Sequence, residues 1–287
     1  MIRITDIKID ITKAKTHELE KESLLTYIQT NYRINPKDIK SFSIFKRAID
    51  ARKKDQLYFV YSVDLDVNNE KNYLNKKLKG LTEAPLLTYQ EIPSGDKKLS
   101  HRPVVVGFGP SGMFAALLLA RRGYRPIVLE RGYDVERRSE NVEHFYQTGE
   151  YNEGSTILFG EGGAGTFSDG KLTTLINDIR CRYVLESLVT HGAQPEILYI
   201  NKPHVGTDIL KIVVKSLREE IISLGGDIRF NAKVTKLFIN NQHIEGVLIN
   251  DNEILKTDVC LLGIGHSARD TFELLYNHKM EIIQKPF

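Results

Sequence analysis

Few residues of this sequence belong to the types that build disulfide frameworks or thiolate metal sites. The two cysteines, Cys181 and Cys260, stand far apart and form no CxxC pair. This excludes a disulfide scaffold, a zinc site built on thiolates and a dithiol redox centre. We expect both cysteines to be small buried side chains, and we expect no metal site.

Long apolar runs are also missing. No segment approaches the roughly 18 consecutive apolar residues that would span a bilayer. The N-terminus, MIRITD, alternates apolar and polar residues and carries an early acid, which is not the pattern of a signal peptide. We therefore expect a cytoplasmic protein without a membrane partner.

The sequence also has no large excess of either charge sign. The formal net charge is +3 in 287 residues, without the concentrated basic patch that is typical of a nucleic-acid binder. Hydrophobic residues make up 41% and charged residues 27%, as in a soluble globular protein. A chain of this length exceeds what one core usually organises, so we expect two domains.

Residues 1–67 have the pattern of a small α+β domain. A strand near residues 2–9, a helix over 19–32, a strand over 42–45 and a cleanly alternating strand over 57–65 follow from the spacing of apolar residues. The basic run at 46–54 indicates a solvated turn, and a contact with phosphate or an acidic partner is the alternative.

Residues 68–102 are polar and contain Pro85, Pro93 and Gly95. This composition predicts a linker with one short helix near residues 73–78.

From residue 103 to residue 287 the pattern becomes that of an α/β domain. A β-branched run at 104–106, a helix at 113–122 and a strand at 126–130 form the βαβ unit of a doubly wound parallel sheet. A helix over 207–224, with Thr207 as its N-cap, precedes further strands. These strands are expected at 227–230, 233–239, 244–249 and 259–264, the last of them buried.

The turn between the first strand and helix reads GFGPSG, at residues 107–112. Gly107 permits the tight turn, Gly109 lets the backbone approach a pyrophosphate, and Gly112 lets helix and strand pack closely. The helix N-terminus offers unpaired N–H groups to phosphate. Glu130, at the end of the next strand, has the spacing of the acid that accepts ribose hydroxyls. A carboxylate there disfavours NADP, so the turn predicts a dinucleotide without a 2′-phosphate.

A second Gly-rich segment, FGEGGAGTFSDGKL, occupies residues 159–172. Its glycines let backbone pass close to a flat or phosphorylated group. A flexible surface loop is the alternative, but Phe159, Phe167 and Leu172 would serve no purpose in a solvated linker. A simple NAD dehydrogenase continues with strands and helices here, so this segment favours FAD.

These motifs, together with TDVCLLGIGHSARDT at residues 257–271, resemble the bacterial FAD-dependent dehydrogenase family, an uncharacterised branch of the glutathione-reductase-like flavoproteins. The resemblance covers residues 103–287 and implies a Rossmann-like FAD-binding domain preceded by a small α+β domain. It implies non-covalent FAD and an oxidoreductase whose substrate, electron donor and electron acceptor are not identified.

The resemblance assigns a set of residues to FAD. They are Gly107, Gly109, Pro110, Ser111, Gly112, Glu130, Arg131, Arg138, Gly163, Ala164, Gly165, Thr166, Val234 and Gly265. The first loop would hold the pyrophosphate, Glu130 the ribose, and Arg131 would flank the adenine. Arg138 would neutralise phosphate, and residues 163–166 would follow the ribityl chain and isoalloxazine. Val234 would contact adenine through its backbone, and Gly265 would end the strand that returns to the flavin.

The chain departs from the family pattern at its end. Members continue with a substrate domain and a C-terminal segment that closes over the flavin, so the resemblance implies a truncated or split chain that binds FAD weakly. No second Gly-rich βαβ unit is present for a separate nicotinamide cofactor.

Catalytic residues are the least determined part of the sequence. Lys171 and His266 are the candidates, the first to stabilise a reduced flavin and the second to relay protons, with Ser168 and Asp169 close in sequence. The alternatives are a solvated lysine and a helix-capping histidine. The histidines His191, His204 and His243 have no metal spacing and are expected at the surface.

Two other functions remain open. A dehydrogenase that binds NAD at the same loop would require residues 159–172 to lie far from the dinucleotide. A binding module would use Lys46, Arg47, Arg52, Lys53 and Lys54 to contact RNA or an acidic protein, with flavin in a structural role.

Overall fold

The computed structural model describes residues 1–85, 89, 92–150, 157–168, 170–174, 176 and 178–284. The chain forms two compact units. The first comprises residues 1–90, 172–189 and 194–204, and the second comprises residues 91–171, 190–193 and 205–287.

The described residues form the following α-helices and β-strands. The α-helices are α1 (His17–Tyr32), α2 (Glu70–Leu74), α3 (Pro110–Arg121), α4 (Val135–Thr148), α5 (Ile179–Thr190), α6 (Thr207–Ser223) and α7 (Arg269–Asn277). The strands are β1 (Ile2–Asp10), β2 (Ile39–Lys53), β3 (Gln56–Val67), β4 (Leu81–Glu83), β5 (Val104–Val106), β6 (Ile127–Leu129), β7 (Asp227–Arg229), β8 (Val234–Asn240), β9 (His243–Ile249), β10 (Glu253–Lys256) and β11 (Cys260–Leu262).

The first unit is built on an antiparallel sheet in the order β2-β3-β1-β4. Alternate residues of β1 and β3 are buried, as expected for a sheet with one covered face. Leu24 and Ile28 of α1 complete that core. The helix starts at Thr16, whose side chain accepts a hydrogen bond from the Leu19 N–H.

A polar cluster is buried beside this core. Glu20 is 3% exposed, and its Oε1 accepts hydrogen bonds from the Tyr61 hydroxyl at 2.6 Å and from Arg47 at 2.8 Å. The Arg47 guanidinium lies 5.2 Å from the centre of the Phe59 ring and 5.3 Å from the centre of the Tyr199 ring. Burial and the Glu20 carboxylate raise the pKa of Tyr61 above its usual range. The hydroxyl therefore stays protonated and donates to the acid.

The structure corrects several expectations for the first unit. The basic run at 46–54 is not a turn, because β2 continues to Lys53 and the turn follows it. Residues 68–102 contain α2 and the strand β4, which pairs with β1. The boundaries drawn at 67 and 102 also miss the later segments at 172–189 and 194–204. Tertiary pairing determines all three features, and local composition does not reveal it.

The second unit contains a four-stranded parallel sheet in the order β11-β5-β6-β7. Read from β7, this is the 3-2-1-4 strand order of a doubly wound α/β sheet. Every residue of β5 and β6 is buried, which confirms the buried βαβ unit. One sheet face packs on the antiparallel sheet β8–β10 through Val106, Leu129 and Val247. The other carries α3, since Val105 approaches Gly112.

Other details of the second unit differ from expectation. The α6 N-cap is Gly206 and Thr207 is the first helical residue. The strand β11 is not buried, because Leu261 and Leu262 are 39% and 38% exposed. Cys181 and Cys260 are only partly buried. His191 is 6% exposed and bonds Glu220 at 2.7 Å, so it is not a surface residue.

Among the described residues, the structure has no helix that is both long and apolar enough to cross a membrane.

The buried cluster in the first unit gives a stability prediction. Tyr61→Phe removes the hydroxyl that Glu20 accepts and leaves a buried carboxylate with fewer donors, so we expect a loss of about 1–3 kcal/mol. The urea midpoint followed by circular dichroism measures it. Tyr58→Phe, the same change on the same strand, is the control and should have little effect; equal losses in the two variants would contradict the assignment.

Candidate functional site

A cleft of about 720 Å³ opens in the second unit, at the carboxyl ends of its parallel strands. In a doubly wound sheet this edge is where ligands bind, at the point where strand order reverses. The last residues of β5, β6 and β11 face the cleft, as do the turns that follow them. The segment at 158–164 and helix α7 form the remaining walls.

The three glycines of the first turn differ in what requires them. Gly107 has φ +93°, and a Cβ there would meet the Gly263 carbonyl oxygen at 2.5 Å. A Cβ on Gly112 would meet the Gly107 carbonyl oxygen at 1.9 Å. The fold therefore requires both. Gly109 has an ordinary extended backbone, φ −73° and ψ −178°, and the atom nearest to its Cβ position, 3.8 Å away, is the Gly163 Cα. The protein itself has room for a Cβ at Gly109.

Gly109 is also the N-cap of α3, which begins at Pro110. The first N–H groups of a helix have no partner within the helix, and the helix dipole places partial positive charge there. Ser111, in the first turn, lines the cleft beside Gly109. The cleft floor therefore presents backbone N–H groups and partial positive charge, an arrangement that favours an anion.

Glu130 joins the loops around the cleft. It is 4% exposed, and its carboxylate accepts hydrogen bonds from three backbone N–H groups. The donors are Phe108 at 2.6 Å, Gly132 at 2.8 Å and Gly160 at 2.9 Å. These belong to the first Gly-rich turn, the turn after β6 and the second Gly-rich segment. Glu130 also faces the cleft, so the same carboxylate shapes the wall and is part of it.

Two cations and an acid stand at one end of the cleft. Arg131 donates to both carboxylate oxygens of Asp270, at 2.9 and 3.0 Å, and Lys233 lies 2.6 Å from the same carboxylate. The Arg131 guanidinium also lies 4.4 Å from the centre of the Phe159 ring. Burial opposes ionisation of Asp270, but the hydrogen bonds and charges of Arg131 and Lys233 outweigh it and hold its pKa well below the usual range.

Arg138 is completely buried beneath the second Gly-rich segment. Its guanidinium donates to the carbonyl oxygens of Glu161, Gly163 and Ile157, and the Phe167 ring lies 4.7 Å from it. Burial lowers the pKa of Arg138 to about 10, and the charges of nearby glutamates oppose that shift, so it is a cation at neutral pH. Arg138 does not line the cleft. Its observed contacts hold the segment in place, which differs from the predicted phosphate contact.

Glu161 is a second buried acid in that segment. Its Oε2 accepts hydrogen bonds from the Val135 N–H at 2.8 Å and from Arg218 at 3.1 Å. Its Oε1 is buried without a hydrogen-bond partner among the described residues. Burial raises the pKa of Glu161 to about 7, against the effect of the Val135 N–H and of Arg218.

Most of the residues assigned to the dinucleotide come together in this cleft. Those that line it are Gly107, Gly109, Pro110, Ser111, Glu130, Arg131, Gly163, Ala164, Val234 and Gly265, together with the catalytic candidate His266. Gly112, Arg138, Gly165, Thr166 and Lys171 do not line it. Thr166 is fully buried and donates to the Glu161 carbonyl. Asp169 lies outside the described residues.

The sequence motifs contain Asp270 and Glu161, and a predicted strand begins at Lys233, but the sequence predicted no functional role for any of the three. Asp270 stands in the first turn of a helix, where an acid is ordinary, so its pairing with residues far away in sequence gave no local signal. Glu161 stands among glycines, and their pattern predicts a close backbone approach without indicating that the acid among them is buried.

Comparison with known proteins gives two sequence matches. Residues 1–66 match the family model described as Domain of unknown function (DUF8436). An uncharacterised protein of Clostridium beijerinckii is 45% identical over 287 residues, which is 100% of this chain and 52% of that protein. The chain therefore spans about half the length of the curated relative it matches.

Solved structures resemble the chain more distantly. THI4 of Thermovibrio ammonificans has a TM-score of 0.41 and 16% identity, with 63% of this chain and 64% of that chain covered. A glycine oxidase of Bacillus cereus has a TM-score of 0.33 and 15% identity, covering 62% and 59%. A ferredoxin reductase of Rhodopseudomonas palustris has a TM-score of 0.30 and 13% identity, covering 61% and 27%.

Glu130 gives the first prediction for the site. Glu130→Gln replaces one acceptor oxygen with an NH₂ group that faces backbone donors, so at least one buried N–H loses its partner. We expect a loss of about 1–3 kcal/mol in the stability of the second unit. Urea unfolding measures it, with Glu253→Gln at an exposed acid as the control. A variant as stable as the control would contradict this role of Glu130.

Glu161 gives a prediction for pH. A folded-state pKa of about 7 exceeds the usual value of 4.5, so its contribution to stability is present below pH 4.5 and is lost as pH rises through 7. Glu161→Gln and wild type should be similar at pH 4.5, and the variant should be more stable at pH 8, by on the order of 3 kcal/mol. Urea unfolding at the two pH values measures the difference.

The control for this prediction is Glu245→Gln, which changes an exposed acid of the same unit. It should follow wild type at both pH values. The same pH dependence in wild type and Glu161→Gln would show that Glu161 is not the group that titrates.

Proposed function

We propose that this chain binds FAD non-covalently in the cleft of the second unit and is an FAD-dependent oxidoreductase, a dehydrogenase. The observation that carries the proposal is Gly109. Its backbone conformation suits any residue and a Cβ there meets no clash, so the fold does not explain the glycine. A pyrophosphate against the backbone at that point does explain it, because a side chain would occupy the same space.

The cleft residues fit the group. Backbone N–H groups at the start of α3 would take the pyrophosphate, and the Glu130 carboxylate would take the ribose hydroxyls. Arg131 and Phe159 would flank the adenine, with Val234 on the other side. Gly163 and Ala164 line the same cleft and would lie along the ribityl chain and isoalloxazine.

FAD would supply hydride or electron transfer, and the protein would supply orientation and electrostatics. Among the catalytic candidates, His266 lines the cleft and Lys171 does not. This favours His266 as the residue that holds or moves a proton beside the cofactor.

Two alternatives are less well supported. An NAD enzyme would place the second Gly-rich segment far from the dinucleotide, whereas Phe159, Gly160 and Gly163 line the same cleft. A binding module would use the basic run of the first unit. Arg47 of that run is bound to Glu20 and Arg52 is bound to Asp50, which leaves it less charge for a partner.

Gly109 provides the test. A thermal melt of the purified chain with FAD at about 100 times its dissociation constant should show stabilisation of roughly 2.7 kcal/mol. Gly109→Glu should abolish the shift and leave the melt without FAD nearly unchanged, because the Cβ has room. Gly95→Glu makes the same change in open space and should keep the shift. Visible absorbance of bound flavin is the second readout.

The contrary outcomes are distinct. A shift with NAD alone would replace FAD by a nicotinamide cofactor. An undiminished FAD shift in Gly109→Glu would place FAD elsewhere, and no shift of the wild-type chain with FAD would contradict the proposal.

A further inference from the structure

Arg131 stands where an arginine selects a phosphorylated ribose. It directly follows Glu130 at the end of β6, and in dinucleotide folds a nearby arginine accommodates the 2′-phosphate of adenosine. Arg131 lines the cleft, and Lys233 lines it too. By position alone, two cations at this end would favour a 2′-phosphate.

Asp270 forms ion pairs with both cations. Two guanidinium nitrogens of Arg131 bond the two Asp270 oxygens at 2.9 and 3.0 Å, and Lys233 approaches the same carboxylate at 2.6 Å. A bidentate pair of this kind has fixed geometry and is stronger than a single hydrogen bond. A phosphate at this place would have to displace the carboxylate from Arg131.

Within the group of Glu130, Asp270, Arg131 and Lys233 the charge is balanced as a result. Glu130 and Asp270 carry two negative charges, and Arg131 and Lys233 carry two positive charges. Glu130, Arg131, Lys233 and His266 are the titratable residues of the described cleft lining, and Asp270 binds the two cations without lining the cleft itself. Neutralising Asp270 would leave this end with a net charge of +1 and would free the face of Arg131 that Asp270 occupies.

We propose that Asp270 is a specificity-determining residue, which excludes 2′-phosphorylated adenosine by holding Arg131 and Lys233. The inference rests on the proposed dinucleotide site and adds to it. Glu130 disfavours a 2′-phosphate directly, whereas Asp270 acts through the two cations. A substitution of Asp270 can therefore remove its effect while Glu130 stays in place.

The test compares two ligands that differ only in the 2′-phosphate: ADP-ribose and 2′-phospho-ADP-ribose. Titration calorimetry of the flavin-free full chain gives the ratio of their dissociation constants. We expect wild type to prefer ADP-ribose. Asp270→Asn keeps the side-chain shape and the oxygen that accepts the Thr271 N–H, and should shift the ratio towards the phosphorylated ligand by about tenfold, or about 1.4 kcal/mol. Added salt should reduce the shift.

Asp208→Asn is the matched control. Asp208 is an exposed acid in the first turn of α6, so the variant has the same change of charge and should keep the wild-type ratio. The double variant Arg131→Ala, Asp270→Asn should lose most of the gain, because the freed guanidinium is gone. If Asp270→Asn does not fold, Asp270→Ser takes its place.

The outcomes separate the two proposals. An unchanged ratio in a folded Asp270 variant that still binds FAD would overturn the role of Asp270 and leave the proposed function in place. A shift of equal size in Asp208→Asn would show that the ratio responds only to net charge, and would also overturn the role of Asp270. A wild-type chain that binds neither FAD nor ADP-ribose would overturn the proposed function and this inference with it.

Discussion

The Glu130 carboxylate accepts backbone hydrogen bonds from three separate turns, and the cleft depends on this interaction. Phe108, Gly132 and Gly160 donate to it, and none of the three lies in a helix or strand. Buried backbone N–H groups need partners, and one acid at the end of β6 serves all three. The first Gly-rich turn and the second Gly-rich segment are therefore joined through this side chain, and the Gly162 N–H adds a direct bond to the Phe108 carbonyl oxygen at 2.8 Å. Both the turn and the segment line the cleft.

Other buried charged side chains lie near the Glu130 carboxylate. Arg138 contributes a positive charge between Glu130 and Glu161, and its hydrogen bonds go to main-chain carbonyls of the second Gly-rich segment. Isolated buried charges are costly, and opposite charges with satisfied hydrogen bonds reduce that cost. Arg138 and Glu130 thus both hold the second Gly-rich segment. Arg138 binds carbonyl groups of the segment, and Glu130 binds one of its N–H groups.

Local sequence was sufficient for the part of the fold in which short-range signals agree. The βαβ unit around GFGPSG, the acid at 130 and the helix near 207–223 all follow from turn residues, β-branched runs and helical spacing. The strand β4 and the continuation of β2 through a basic run depend on pairing with distant strands. The site divides in the same way. The sequence identified the glycines and Glu130, but the Arg131–Asp270 pair joins residues 139 positions apart, and no periodicity reveals such a contact.

Arg138 makes the second Gly-rich segment dependent on α4 for its shape. Within the described residues 157–163 the backbone forms neither helix nor strand, and the segment is held by side chains that lie 19 to 30 positions earlier in the chain. Loop-closure entropy opposes such contacts until β6 and α4 are in place. This wall of the cleft consequently keeps its shape only while β6 and α4 are folded, and it is the part that a chain with a disrupted α4 would lose.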